Sequence, residues 1–144
     1  MLMQNFKSAA ELDLTDEQYD ALKKVLVLLE TSKLNFIEEL PEFWPYNVKL
    51  PEFTGHFNMA HWTAVAPCGT VACIGGTAEL IAGKRIFGGI DGDHPPMLHN
   101  LFYPTGLHAT TEQAARALRN YLTSGDADWN TVLGLHKVNA GTRT

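Results

Sequence analysis

The segment 67–76 reads Pro-Cys-Gly-Thr-Val-Ala-Cys-Ile-Gly-Gly and contains both cysteines of the 144-residue chain. Thr70 is a residue type that caps helices, and the mainly apolar residues after it continue as far as Gly83. The sequence therefore predicts a helix over 70–82. Each glycine of the pair Gly75-Gly76 costs such a helix about 1 kcal/mol relative to alanine. We therefore expect this face of the helix to lie close to the backbone of another helix.

Two longer helices are predicted, one on each side of this segment. Each follows a capping box, in which a threonine and a glutamine three residues later satisfy each other's backbone N–H groups. Apolar residues then recur every three or four positions, which indicates amphipathic helices. The boxes and helices are Thr15/Gln18 with 16–31 and Thr110/Gln113 with 111–124. The core predicted from this spacing comprises Tyr19, Leu22, Leu26, Leu29, Ile74, Leu118, Leu122 and Trp129.

Two short helices complete the predicted fold, over 96–102 and 127–133. No stretch shows sustained alternation of apolar and polar residues, so little strand is expected. The sequence therefore predicts a mainly α protein, a compact helical fold in which residues 1–144 form a single domain. Residues 1–14 and 136–144 are predicted to be mobile because neither carries a periodic apolar pattern.

The segment 41–67 differs from the rest of the chain in composition. Its prolines remove backbone donors and hold the chain extended, while its aromatic side chains require burial. We expect a long connecting segment that wraps over the helices and is fixed to them by its rings. The prolines are Pro41, Pro45, Pro51 and Pro67, and the aromatic residues are Phe43, Trp44, Tyr46, Phe53, Phe57 and Trp62.

Composition and charge narrow the function classes. The chain is 45% hydrophobic and 19% charged, which is typical of a globular protein. Its net charge of −5 and its scattered basic residues disfavour binding to nucleic acid. No apolar run approaches the roughly 20 residues that span a bilayer, and residues 1–14 do not resemble a secretory signal. These features predict a cytoplasmic protein with free thiols and no membrane partner.

Four side chains are candidate metal ligands, and zinc is the metal that they would suit. His56, His61, Cys68 and Cys73 occur in the order His-x4-His-x6-Cys-x4-Cys. Two histidines and two cysteines can hold zinc tetrahedrally, but paired cysteines in zinc fingers are usually closer together. No cofactor is favoured, and zinc is the alternative.

Cys68 is also a candidate thiol nucleophile. A cysteine immediately before a helix meets free N–H groups and the helix dipole, which lower the pKa of its thiol. The histidines that could act as its base are His94, His99, His108 and His136. A disulfide between Cys68 and Cys73 is a further alternative. The favoured interpretation is that both cysteines are small buried hydrophobic residues, as free cysteines commonly are.

One block of the chain resembles a family. Phe57-Asn58-Met59, then Trp62, then the run Cys68–Ala78 is similar to the pattern Phe-[Asn/Asp]-Met-x-x-Trp followed by Cys-Gly-Thr-x-x-Cys-Ile-x-Gly-x-Ala. This pattern is found in small uncharacterised bacterial and phage-borne proteins. The resemblance implies no activity, and it implies that the block acts as a unit.

The sequence therefore predicts a noncatalytic helical protein that binds a macromolecular partner, either another protein or a second copy of itself. This prediction rests on the lack of a convincing catalytic motif and on the aromatic residues of segment 41–67. The alternative is a zinc- or thiol-dependent protein centred on Cys68 and Cys73.

Overall fold

A computed structural model describes residues 5–37, 44–45, 52–59, 62–66, 69–89, 92–104 and 109–134. The described chain contains both helices and a sheet. The helices are α1 Asp16–Glu30, α2 Ile74–Ala82, α3 Pro96–Phe102, α4 Thr111–Ser124 and α5 Trp129–Leu133. The strands are β1 Asn35–Phe36, β2 Trp44–Pro45, β3 His56–Phe57, β4 Thr63–Ala66 and β5 Gly69–Ala72. The described strands pair in the order β1-β3-β5-β4-β2.

The sheet is mixed. The β1–β3 and β3–β5 pairs are parallel, whereas the β4–β5 and β2–β4 pairs are antiparallel. The central strand is β5, and its Val71 lies opposite His56 of β3 on one side and Ala64 of β4 on the other. The prediction of a mainly α protein is therefore wrong, and the fold is mixed α/β.

The segment predicted to begin a helix at Thr70 is extended instead. Thr70 does not cap a helix, because its backbone N–H donates to Thr54 Oγ1 at 2.8 Å and its carbonyl accepts from that hydroxyl at 2.9 Å. Thr70 and Val71 are β-branched and suit a buried central strand. Helix α2 begins at Ile74, and Cys73 is its N-cap, with Sγ accepting the Gly76 N–H at 3.5 Å.

The predictions for the remaining helices are largely confirmed. Both capping boxes are present, with reciprocal hydrogen bonds of 3.0–3.1 Å. Helices α1, α3 and α4 match the predicted ranges to within one residue. Helix α5 begins at Trp129 rather than 127, because Asp128 takes the left-handed conformation with φ +54°.

Helix α1 packs against α2 and α4, and these contacts form much of the core. Seven of the eight predicted core residues are buried, whereas Tyr19 is only partly buried. Its hydroxyl donates to the carbonyl of Lys7 at 2.5 Å. Residues 5–14 of the segment predicted to be mobile also contact the core, since Leu12 and Leu14 are buried and the Lys7 N–H donates to the Leu122 carbonyl at 2.7 Å. Residues 136–144 lie outside the described ranges.

The two glycines of α2 make room for Trp62, and not for another helix as predicted. A Cβ atom at Gly75 would overlap the indole ring of Trp62, and one at Gly76 would overlap the carbonyl oxygen of the same residue. The described part of segment 41–67, predicted to be a connection, supplies β2, β3 and β4 to the sheet. No described helix is long and apolar enough to span a membrane.

Candidate functional site

The predicted metal ligands are only partly placed. His56 lies on β3, where its Nδ1 is 3.5 Å from Asn35 Nδ2, and Cys73 lies at the start of α2. His61 and Cys68 lie outside the described residues. Within the described ranges, no three His, Cys, Asp or Glu side chains are grouped so that they could hold a metal ion. Zinc binding by the four residues therefore stays a prediction.

Cys73 is a buried thiol at a helix start. It is 2% exposed, and burial raises the pKa of its thiol to about 12 despite the N–H groups of α2 nearby. The group is therefore protonated at neutral pH, and a neutral thiol is a poor nucleophile. The contacts of Cys73 agree with a small buried side chain that also caps α2. The nucleophile candidate Cys68 and the base candidates His108 and His136 lie outside the described residues.

The sequence motifs above predict no role for Glu79 of α2, yet its carboxylate is fully buried. Oε1 accepts from Trp62 Nε1–H at 2.7 Å and from the Arg85 guanidinium at 2.9 Å. Oε2 accepts the backbone N–H groups of Phe87 and Gly89, both at 2.9 Å. Four donors therefore surround one carboxylate.

This arrangement fixes structure. A buried carboxylate is tolerated when a cation and hydrogen-bond donors compensate its lost hydration, and Arg85 and the three N–H donors do so here. Glu79 thereby holds Trp62 and the segment 85–89 in place. The sequence did contain a signal, namely a single acidic residue in the apolar run 74–82 followed by Arg85 and a glycine pair.

An aromatic cluster adjoins Glu79. Trp62 stacks on His94, with ring centroids 5.9 Å apart and planes 10° apart, and meets the edge of Phe102 at 5.1 Å. His94 also meets Phe102 at 5.1 Å and Phe87 at 6.1 Å. Its Nε2 is buried without a hydrogen-bond partner among the described residues. Burial lowers the pKa of His94, and the charge of His99 lowers it further, so the ring is neutral at neutral pH.

Two cavities lie along the segment that follows His94. The first holds about 420 Å³ and lies between the N-terminal segment, the start of α3 and the end of α4. Its lining residues are Lys7, Glu11, Leu12, Asp13, Pro95, Pro96, Met97, Leu98, Tyr121, Ser124 and Gly125. Met97 is 40% exposed, whereas Leu12 and Leu98 beside it are buried. The floor is therefore apolar and the rim is charged.

The second cavity holds about 480 Å³ and includes His94. It shares Asp13, Pro95 and Leu98 with the first cavity. Its remaining lining residues are Gln18, Ile86, Phe87, Gly88, Gly92, Asp93 and His94. Because the two cavities share a wall, we treat them as one surface and call it the docking groove.

The docking groove could not be identified from the sequence because its lining comes from separate parts of the chain. Comparisons with protein-family models, with curated proteins and with solved structures find no significant match to this chain. The fold and the groove define a mixed α/β domain with an open, partly apolar cleft.

Proposed function

We propose that the protein acts in the cytoplasm as a noncatalytic binding protein, and that it holds an extended segment of a protein partner in the docking groove. The observation that carries this proposal is the exposure of Met97 at the edge of an apolar cavity. Methionine is flexible and polarizable, and it is frequent on surfaces that bind protein segments.

The setting of Met97 differs from that of Val27, another exposed apolar side chain. Val27 is equally exposed, at 42% against 40% for Met97. The shallow space beside Val27 is otherwise lined by three charged residues of α1: Asp20, Lys23 and Lys24. Met97 instead lies among prolines and above buried leucines. A partner side chain placed there would be removed from water on several sides, which favours binding.

The groove wall is also rigid. Pro95 and Pro96 have restricted φ angles and lead directly into α3. His94, which precedes them, stacks on Trp62, and Trp62 donates to Glu79. A wall that is already ordered loses little conformational entropy when a ligand binds.

The buried reactive groups support a noncatalytic role. All the hydrogen bonds that Glu79 accepts come from groups that it holds in place, and the Cys73 thiol is protonated. Neither group is a lining residue of the docking groove. An open cleft of this kind suits an extended segment of a partner.

The proposal is tested with a library of random linear peptides displayed on phage and selected on the purified protein. We expect enriched peptides to share an apolar anchor residue. Met97→Asp should weaken their binding about tenfold or more, because it replaces buried apolar contact with a charge. Val27→Asp is the matched control, and it should leave the dissociation constant unchanged.

Two results would contradict the proposal. One is a failure of the selection to show specific binding at Met97, either because no peptide is enriched or because Met97→Asp and Val27→Asp bind the enriched peptides equally well. The other is a dimer in sedimentation equilibrium that Met97→Asp dissociates and Val27→Asp does not. That dimer would place a second copy of the chain in the groove.

A further inference from the structure

We infer that the partner segment carries a lysine or arginine next to its apolar anchor, and that Asp13 binds this cation at the middle of the docking groove. This inference rests on the proposed function. It adds the chemistry of the partner and names the residue that recognises it.

The charges of the groove are unbalanced. Among the described lining residues, three are carboxylates, Glu11, Asp13 and Asp93, and one is an ammonium group, Lys7. Glu11 is already engaged, because it accepts the Ser8 N–H at 2.8 Å, and the nearby charge of Lys7 also helps to lower its pKa. Lys7 is thus offset by Glu11. The two aspartates leave the groove negative.

Asp13 is held facing outward. Leu12 and Leu14 on either side are both 8% exposed, whereas Asp13 is exposed. Its backbone has φ +58°, a left-handed conformation that is uncommon outside glycine but that aspartate and asparagine tolerate. Burial of the two leucines fixes this turn. The carboxylate is therefore positioned by the core rather than left on a mobile loop.

Asp13 also occupies the place where the two cavities meet, since it lines both. No ion pair to it is present among the described residues. Burial and the charge of Asp13 raise the pKa of Tyr121 on the groove floor to about 12, so its phenol is neutral at neutral pH. A basic side chain of the partner would meet a carboxylate that has no ion pair within the described ranges.

The position of Asp13 in the docking groove indicates where the basic residue of the partner lies relative to its apolar anchor. An extended segment that places its anchor against Met97 has Asp13 along the groove, and Asp93 lies in the cavity beyond. Successive side chains of an extended chain point to opposite sides, so the anchor and the basic residue can contact different walls. The chemistry that fits is an apolar residue close to a lysine or arginine.

The test uses the peptides enriched in the phage selection, each synthesised with its basic residue and with glutamine in its place. Asp13→Asn removes the charge and keeps a side chain that tolerates the left-handed turn. We expect this substitution to weaken binding of the basic peptide about three- to fivefold at low salt and to leave the affinity for the glutamine peptide unchanged. The difference should vanish near 1 M salt, where charges are screened within about 3 Å.

The matched control is Asp128→Asn, since Asp128 has nearly the same backbone conformation, with φ +54°, and lies outside the groove. Three outcomes overturn the inference while leaving the proposed function intact. The first is that the enriched peptides depend on Met97 but lack basic residues. The second is that Asp13→Asn binds the basic peptide as tightly as the parent does. The third is that Asp128→Asn weakens binding of the basic peptide as much as Asp13→Asn does. Loss of all dependence on Met97 would instead overturn the proposed function.

Discussion

Glu79 is the residue on which the local architecture around Trp62 depends. Its carboxylate connects α2 to the indole of Trp62, to Arg85 and to the backbone of the segment 87–89. Removing one partner of a buried ion pair leaves the other charge uncompensated, which costs far more than losing an exposed pair.

Glu79→Gln should therefore reduce the free energy of unfolding by about 3 kcal/mol. The substitution keeps the size of the side chain but places an amide N–H where the carboxylate accepts hydrogen bonds. Urea unfolding followed by circular dichroism measures the change. Glu17→Gln, which breaks the exposed pair with Lys84, is the control and should cost less than about 1 kcal/mol. Equal losses in the two variants would contradict this role of Glu79.

His94 makes the stability depend on pH. Burial holds its pKa below the usual value of 6.5. The charge of His99 lowers the pKa further, whereas the charges of Glu79 and Asp93 raise it. Below pH 6.5 the unfolded chain therefore binds this proton before the folded chain does, and stability falls as the pH drops toward the folded value. Well above pH 6.5 the ring is neutral in both states and contributes no slope.

His94→Phe keeps a ring beside Trp62 and removes the titrating group. As the pH falls from about 7 to about 5, the parent should lose stability and this variant should not, so its free energy of unfolding relative to the parent should rise. Urea unfolding across this range measures it. His99→Phe removes the charge that helps to lower the pKa of His94, so it should reduce this pH dependence without abolishing it. Parallel pH profiles for the parent and His94→Phe would show that burial of His94 does not oppose its protonation.

At the scale of elements, the close approach of α2 to Trp62 positions the helix on the sheet. A methyl group at Gly76 would overlap a backbone oxygen, which cannot rotate away as a side chain can. Gly76→Ala should therefore destabilise the protein by about 3 kcal/mol. Gly83→Ala, at the open C-cap of the same helix with φ +78°, should cost only about 1–2 kcal/mol of backbone strain. A Gly76→Ala variant as stable as the parent in thermal unfolding would refute this packing.

The helices could be predicted and the strands could not, for a physical reason. Capping boxes such as Thr15/Gln18 and apolar spacing are local, so they can be read from a few neighbouring residues. The described strands have two to four residues, too few to show alternation. Val71 pairs in β5 with Ala64 and His56, which lie seven and 15 residues earlier, and this pairing cannot be read from the residues next to Val71. Thr70 therefore has the local signature of a helix cap but lies in a strand.

At the scale of the whole molecule, the first cavity of the docking groove is assembled from three regions of the chain. The segment 7–13, the segment 95–98 and the end of α4 meet at this cavity, and α4 also packs on α1. Neither the cysteine block nor the aromatic segment 41–67 predicted the groove, because a cleft depends on which elements become neighbours. His94 could be named from the sequence only as a histidine among several, whereas the structure places it in the lining of the docking groove.

The most direct test of segment binding is an NMR titration of the ¹⁵N-labelled protein with an enriched peptide. The proposal predicts that the largest amide shifts occur at Leu12, Asp13, Met97, Leu98 and Gly125, and that they disappear in Met97→Asp. Amides of α1 around Val27 should remain unchanged. Largest shifts at β1 or around Val27, with the amides of the docking groove unmoved, would contradict the proposal.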